Sequence, residues 1–436
     1  MGNNSYKKNP FRYMFLLYII LMLIFALLYM LPVAHVGKLN FIDAIFLSTS
    51  GISVTGLSTI DVSSKLTLIG QLLLWLEIQV GGIGVMAIMG SFLIFLKQSN
   101  SLWTQTLMTV DQNQNKYHNI QNMMVFIFVF SAIVQLIGFL FFLPILYLRN
   151  GDISTSIVQA LFHTAASFTN AGFDLFGNSL LGFQENRLFL FVTSVLIILG
   201  VIGFPTLLEV FLSRSKKWSL FTKINVFMQA ALLAIGFLYF LFNEFLFHSY
   251  LSTSGKLMNA WFLSATSRNG GLTTVDISSL HISSILFVIF LMFVGGSPSS
   301  CAGGIRTTTF AAILSSIFSP MFGWKKPVLF GRRLNEQDVE RSQLLFFGFV
   351  FFIFFTVILL SRFESHNILA LTFEVTSAMT TTGLSMGITP NLSPFSKLWL
   401  SFLMIVGRIG MLVFLYGAFQ KRQKRIQYME EDIIIG

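Results

Sequence analysis

Residues 41–57 read FIDAIFLSTSGISVTGL, a mostly apolar stretch over 41–53 that runs into the turn Ser53-Val54-Thr55-Gly56-Leu57. Crossing a bilayer core takes about 20 residues of helix, so 41–53 is too short to span; such segments are buried helices or dip in and return. The pattern recurs. Stretches 157–168, 257–267 and 367–379 lead into Thr169-Asn170-Ala171-Gly172-Phe173, Arg268-Asn269-Gly270-Gly271-Leu272 and Thr380-Thr381-Thr382-Gly383-Leu384. Ten residues before each glycine stands an aromatic (Phe46, Phe162, Trp261, Phe373), and six before it a small residue (Ser50, Ala166, Ala265, Ser377). The glycines are 116, 99 and 112 residues apart in a chain of 436. Small residues beside glycine are common where membrane helices pack. That accounts for one such turn, not for four in one frame.

Longer apolar runs flank every short stretch: 13–33, 66–96, 122–148, 186–213, 223–247, 282–295 continuing to 304–319, 342–361 and 396–419. The expected fold is therefore all-α and polytopic, with four membrane–pore–membrane repeats, eight spans and four re-entrant pore helices around one central pore. Repeat 1 covers 1–110, repeat 2 111–214, repeat 3 215–335 and repeat 4 336–420, with a tail over 421–436. Composition agrees. The chain is 54% hydrophobic with 50 Phe and only 11% charged, about half the charge of a soluble domain. That excludes an ordinary soluble enzyme and a disordered chain. The run Tyr13–Leu31 is too long for a signal-peptide core and reads as the first span.

The net charge of +10 would suggest nucleic acid in a soluble protein, but its placement indicates a membrane instead. With eight spans, 18 of the 28 Lys and Arg fall on the side of the termini and seven on the other. Both termini are expected in the cytoplasm of a multi-pass cell-membrane protein, with the short helices dipping in from outside. Arg268, Arg306 and Arg408 remain at membrane depth. The lone Cys301 rules out a disulfide framework. No phosphate-binding G-x-x-x-x-G-K-[ST] occurs, and no nucleophile–base pair, so an enzyme is not expected.

Four re-entrant helices ending on polar turns can surround one axis. Their carbonyls replace an ion's hydration shell, and glycine opens φ values closed to other residues. The turns carry no carboxylate, which favours a monovalent cation. The pore helices should point their C-termini, the negative dipole ends, at the centre. A different class, a secondary transporter for an organic solute with broken-helix repeats, usually shows two large repeats rather than four small ones.

These four turns resemble the repeats of the Trk/Ktr/HKT potassium transporter superfamily, and a chain starting directly at the first repeat resembles its Ktr-type membrane subunit. The resemblance makes Gly56, Gly172, Gly271 and Gly383 selectivity-filter glycines. It makes the carbonyls of Val54, Thr55, Asn170, Ala171, Asn269, Gly270, Thr381 and Thr382 the K⁺ ligands. The stretch 295–309 contains Gly295, Gly296, Ser297, Pro298, Gly303, Gly304 and Arg306. It cannot continue an α-helix and should line a cavity. It resembles the family's intramembrane gating loop, departing from the common form at Ser299, Cys301 and Arg306. Arg408 resembles the family arginine that points into the pore; the alternative is a structural ion pair with Glu77 or Glu374. Arg268 is expected to brace the third filter strand. Asp43 and Glu374 are expected to bond neighbouring repeats, Asp61 and Asp276 to draw cations or merely face solvent, and His163 to be packed. The resemblance further implies a homodimer, and a cytoplasmic nucleotide-binding (RCK-type) ring docking on 213–223, 320–341 and 420–436. Those basic segments also suit anionic membrane lipid. Sodium enters as activator or co-ion, a choice the sequence leaves open. No organic cofactor and no nucleic acid are expected.

Overall fold

The structure is a computed structural model that describes residues 10–84, 120–212, 217–247 and 251–411, with the isolated positions 88, 105, 106 and 109. The expected tail 421–436 lies outside the described residues, as does part of the basic connection 213–223.

Long helices open four successive stretches: α1 (Pro10–Tyr29), α4 (Ile120–Asn150), α8 (Leu220–Asn243) and α12 (Glu336–Ser361). Among the described residues these four are long and apolar enough to cross a membrane. After each comes a short helix: α2 (Phe41–Ser53), α5 (Ile153–Thr169), α9 (Thr253–Thr266) and α13 (Ile368–Thr380). Side chains fix where these helices begin. Asp152, Ser252 and Asn367 accept hydrogen bonds from the first-turn N–H groups of α5, α9 and α13, which otherwise lack partners.

The helices that follow are interrupted. α3 (Leu68–Ile83) stops at Gly84, with φ +98°, and α14 (Pro394–Ile409) at Gly410, with φ +96°. α6 (Arg187–Val201) and α7 (Phe204–Leu212) meet at Gly203, φ +91°, and bend by 102°. α10 (Ile282–Phe293) and α11 (Thr307–Met321) are separated by a whole irregular segment. The sequence pointed to the last of these breaks and read 66–96, 186–213 and 396–419 as continuous. Left-handed backbone, open to glycine, ends the helix there despite unbroken hydrophobicity. With the bent pair counted as one span, five spans pass a length test among the described residues. The all-α polytopic class holds; the uninterrupted second spans do not.

Packing is cyclic. α3 lies on α5, α6 on α9, α10 on α13, and α14 returns to α2. The last contact joins chain ends far apart in sequence and carries an ion pair: Lys397 Nζ lies 2.9 Å from Asp43 Oδ1, both side chains 13% exposed. The short helices are the most buried elements, nearly all of Phe46–Val54 and Ala160–Ala171 being sealed from solvent. Outer faces of the long helices expose Leu, Ile and Phe, including Leu136, Ile137, Leu140, Phe351 and Phe354, as suits lipid contact.

Candidate functional site: a ring of four glycine turns

The four short helices end at one place. A β-carbon built on Gly56 would strike Ala171 O and fall 2.9 Å from Gly172 Cα. One on Gly172 would sit 3.0 Å from Gly271 Cα, and one on Gly271 2.7 Å from Thr382 O. One on Gly383 would strike Thr55 O and approach Gly56 Cα at 3.1 Å. The turns thus touch in a closed ring, 56 to 172 to 271 to 383 and back, with backbone facing backbone.

Local conformation repeats with the ring. All four glycines have positive φ, between +69° and +93°. Two residues earlier, Val54, Asn170, Asn269 and Thr381 are left-handed as well, at +58°, +60°, +88° and +52°. For a non-glycine residue this costs of order 1–3 kcal/mol. The compensation is visible in three turns, where Thr55 N donates to Ser50 O, Ala171 N to Ala166 O and Thr382 N to Ser377 O, at 2.8, 2.8 and 2.9 Å. The small residue six positions before the glycine has a role beyond fit in two of them. Ser50 Oγ and Ser377 Oγ each accept the glycine N–H at 3.0 Å. The carbonyl of Thr381 already accepts from Asn269 Nδ2 at 3.0 Å, as does that of Thr380 at 2.7 Å.

The interrupted segment lies against this ring. A β-carbon on Gly303 would meet Thr380 O at 2.6 Å, and one on Gly295 would meet Asn269 Oδ1 at 3.1 Å. Its far side is pinned to the α6–α7 bend. Ser297 N donates to Val201 O and Cys301 N to Gly200 O, both at 3.0 Å, and Phe204 N to Ser299 O at 2.9 Å. The carbonyl of Pro298 faces Gly203. Gly296 O accepts from Thr307 N, and Arg306 Nη1 donates to the Ala302 and Ser297 carbonyls, closing the segment on itself. Gly304 and Ser299 are left-handed, at +74° and +57°.

Arg408, in the last turn of α14, donates to Cys301 O, Gly81 O and Gly82 O. A guanidinium there caps the carbonyls left over at the C-terminus of α3 and ties them to the interrupted segment. The alternative ion pair with Glu77 or Glu374 does not form. Glu77 accepts from Tyr29 Oη and Ser48 Oγ, both at 2.6 Å. Glu374 accepts from Ser385 Oγ, Met386 N and Thr389 Oγ1. Arg268 Nη2 donates to Gly295 O at 2.9 Å. His163 is packed between Phe142 and Phe189, with Thr193 Oγ1 3.0 Å from Nε2.

Asp61 and Asp276, each five residues after a glycine, cap short helical turns by accepting from Ser63 N and Ser278 N. Burial pushes the Asp61 carboxyl up, but hydrogen bonds from Ser64 and Ser63 outweigh it and hold the group below its ordinary range. Asp174, two residues after Gly172, lies off the frame the sequence offered and was missed there. Burial raises its carboxyl above the ordinary range, against the N–H donors of Phe176 and Gly177 and with the Asp61 charge adding to the rise.

An all-α membrane protein with a closed ring of backbone turns at its centre belongs to the ion transporters rather than to the enzymes. Comparison with known proteins gives the family. The model of the TrkH family, cation transport proteins, matches residues 8–424. Ktr system potassium uptake protein D of Bacillus subtilis is 35% identical over 98% of this chain and 97% of its own. Potassium/sodium uptake protein NtpJ of Enterococcus hirae is 32% identical over 91% of this chain and 90% of its own. The crystal structure of the potassium transporter TrkH from Vibrio parahaemolyticus superposes with a TM-score of 0.76, covering 96% of this chain and 87% of that one. At 16% identity that likeness speaks for the fold. The chain belongs to the TrkH family as a Ktr/Trk-type membrane subunit.

Proposed function

We propose that the chain is the ion-translocating subunit of a potassium uptake system, built as four repeats whose turns at Gly56, Gly172, Gly271 and Gly383 form one selectivity filter. The observation that carries this is the backbone-to-backbone closure of the four glycines. Backbone this close to an axis leaves carbonyls as the groups available to an ion, and carbonyls suit K⁺. The short helices end at the ring, so their C-terminal dipoles favour a cation beside it.

The segment 295–309 is the gate in this reading. It lies against the turns and is pinned by carbonyl contacts to Arg408 and to the α6–α7 bend, and each of these must break for it to move. Arg408 places a positive charge under the filter, which raises the energy of a resident cation and keeps its binding loose enough for release. Both termini are cytoplasmic, and a nucleotide-binding ring docks on the cytoplasmic connections. The name of the Bacillus relative, a "Ktr system" protein, supports a multi-component assembly. Sodium as activator or co-ion fits the name of NtpJ, a potassium/sodium uptake protein. A homodimer, each protomer with its own pore, completes the reading.

The test is growth of a potassium-uptake-deficient host at limiting K⁺, together with K⁺, Rb⁺ and Na⁺ flux into vesicles holding the purified chain. Rescue with K⁺ preferred over Na⁺ is expected. Accumulation of an organic solute without cation flux would overturn the assignment.

A further inference from the structure

We infer that Arg268 positions the third filter turn by holding it to the gating loop, so that ion selectivity depends on where the loop sits. The inference rests on the filter-and-gate reading above and adds a dependence of one upon the other.

The third turn is built differently from its neighbours. In the other three, the N–H of the residue before the glycine bonds to the carbonyl five positions earlier, and the helix closes directly into left-handed backbone at Val54, Asn170 and Thr381. In the third, the residue after α9, Ser267, is still right-handed with φ −58°. Gly270 N bonds Thr266 O at 2.7 Å instead of reaching Ala265. No small hydroxyl stands six before Gly271 to take its N–H, because that position is Ala265. The turn therefore lacks the glycine N–H bond of the first and fourth, as the second does at Ala166, and its internal brace is Thr266 Oγ1 donating to Leu272 O at 2.5 Å.

Its ties run to other elements. Arg268 Nη2 donates to Gly295 O at 2.9 Å and Nη1 to Gln229 O at 3.4 Å. Asn269 Nδ2 donates to the Thr380 and Thr381 carbonyls. Arg268 is 1% exposed, and among the described residues its guanidinium has no carboxylate within 4.0 Å. A buried charge without a counter-charge is costly, and charge-assisted hydrogen bonds to carbonyls are what offset it. The nearer of those carbonyls belongs to the first residue of the interrupted segment. Gly303 of the same segment abuts Thr380 and Thr381. The loop thus reaches the fourth turn directly, and the third both through Arg268 and where Gly295 approaches Asn269 Oδ1. Displacing the loop removes Gly295 O from Arg268 and frees the turn that lacks the bond from the N–H before the glycine to the carbonyl five positions earlier.

Arg268 is on this account a positioning residue, and the readout is selectivity rather than rate or stability. Uptake of K⁺ and of Na⁺ is measured separately in vesicles holding the full-length chain, Arg268→Lys, a deletion of Ser299–Ala302, and the two combined. Lysine keeps the charge and loses the planar fork. Arg268→Lys is expected to lower the K⁺-to-Na⁺ uptake ratio by roughly tenfold, mid-range for partners in one hydrogen-bond network. The deletion is expected to lower it as much, and the combination no further. Independent, multiplying effects would overturn the inference. If Arg268→Lys fails to fold, the deletion alone decides, because Arg268 is intact in it: an unchanged ratio overturns the dependence. Gly172→Ser separates the two levels. A ratio that collapses in Gly172→Ser yet ignores the deletion leaves the filter standing and removes this inference. A ratio insensitive to both removes the filter reading.

Discussion

Gly172 and Gly271 face one another with no room for a side chain on either: a β-carbon on Gly271 would lie 2.6 Å from Gly172 Cα, and one on Gly172 3.0 Å from Gly271 Cα. They belong to turns 99 residues apart in the chain. Both have φ near +70°, so a substituted residue meets backbone strain as well as a clash. Strain of this kind costs ~1–3 kcal/mol per site. Gly172→Ser and Gly271→Ala are therefore expected to cut the K⁺-over-Na⁺ uptake ratio by at least tenfold while leaving membrane insertion intact. Flux measurements with both ions check it.

Arg408 closes a second relationship, between the end of α3 and the interrupted segment. Arg408→Gln leaves the carbonyls of Cys301, Gly81 and Gly82 with fewer donors. Each buried group left unsatisfied costs about 1–3 kcal/mol. The variant is expected to melt earlier in detergent and to change both the KM for K⁺ and the uptake rate. Wild-type kinetics with a wild-type melting point would remove the tethering role.

Ser299 sits at φ +57° in the interrupted segment. Left-handed backbone costs a non-glycine residue roughly 1–2 kcal/mol. Glycine relieves that strain in the conformation seen, so Ser299→Gly is expected to favour the closed loop and to slow basal K⁺ uptake about fivefold or more, as a shift of roughly 1 kcal/mol implies. Uptake rates of the two proteins at saturating K⁺ decide it.

Acid should act on Asp174 before it acts on Asp61. Burial raises its carboxyl above the ordinary range, while Asp61, after its hydrogen bonds, lies below. As pH falls, Asp174 is neutralised before an ordinary carboxylate and Asp61 after one. The KM for K⁺ is expected to rise as pH drops through the region just above the usual carboxylate range, and Asp174→Asn to abolish that step. The stability sign is opposite for the two groups. A raised native pKa means the fold holds the Asp174 proton more tightly than the unfolded chain does. Asp174 therefore stabilises the fold below its unfolded pKa, and that contribution is lost as pH rises through the native value. Asp61 stabilises above its unfolded pKa and loses that contribution as pH falls through the native one.

The Lys397–Asp43 pair closes the packing cycle at 2.9 Å. Replacing Lys397 by Met strands a mostly buried carboxylate. The expected loss of stability lies between the ~1 kcal/mol of an exposed pair and the ~3–5 kcal/mol of a fully buried one, read as a lower melting temperature that Asp43→Asn in the same chain partly restores.

Much of this molecule was legible in its sequence. The apolar lengths gave the four long helices. The short stretch 41–53 matched its helix to the residue, and 157–168, 257–267 and 367–379 matched theirs to within about four. Those features depend on local composition and length, which a sequence carries directly. The breaks at Gly84, Gly203 and Gly410 were not legible. Glycine inside an apolar run reads as a packing residue until its φ is known, and only the structure shows it positive. Which carbonyls Arg408 and Arg268 take was hidden for a related reason: both guanidiniums bind backbone, and a carbonyl has no residue identity. The acidic candidates for Arg408, Glu77 and Glu374, are already bonded to hydroxyl and amide donors.

By itself, then, the sequence determined that this is a membrane protein with four glycine turns in one frame, because hydrophobic length and the frame of the turns are properties of the chain alone. The tertiary structure decided that the turns meet, that the third leans on the interrupted segment, and that the helix-packing cycle is closed at Lys397 and Asp43. Those contacts join residues about a hundred or more positions apart, with Arg268 to Gly295 as the shorter exception. Proximity in space between such residues comes from packing the helices, which no local pattern specifies.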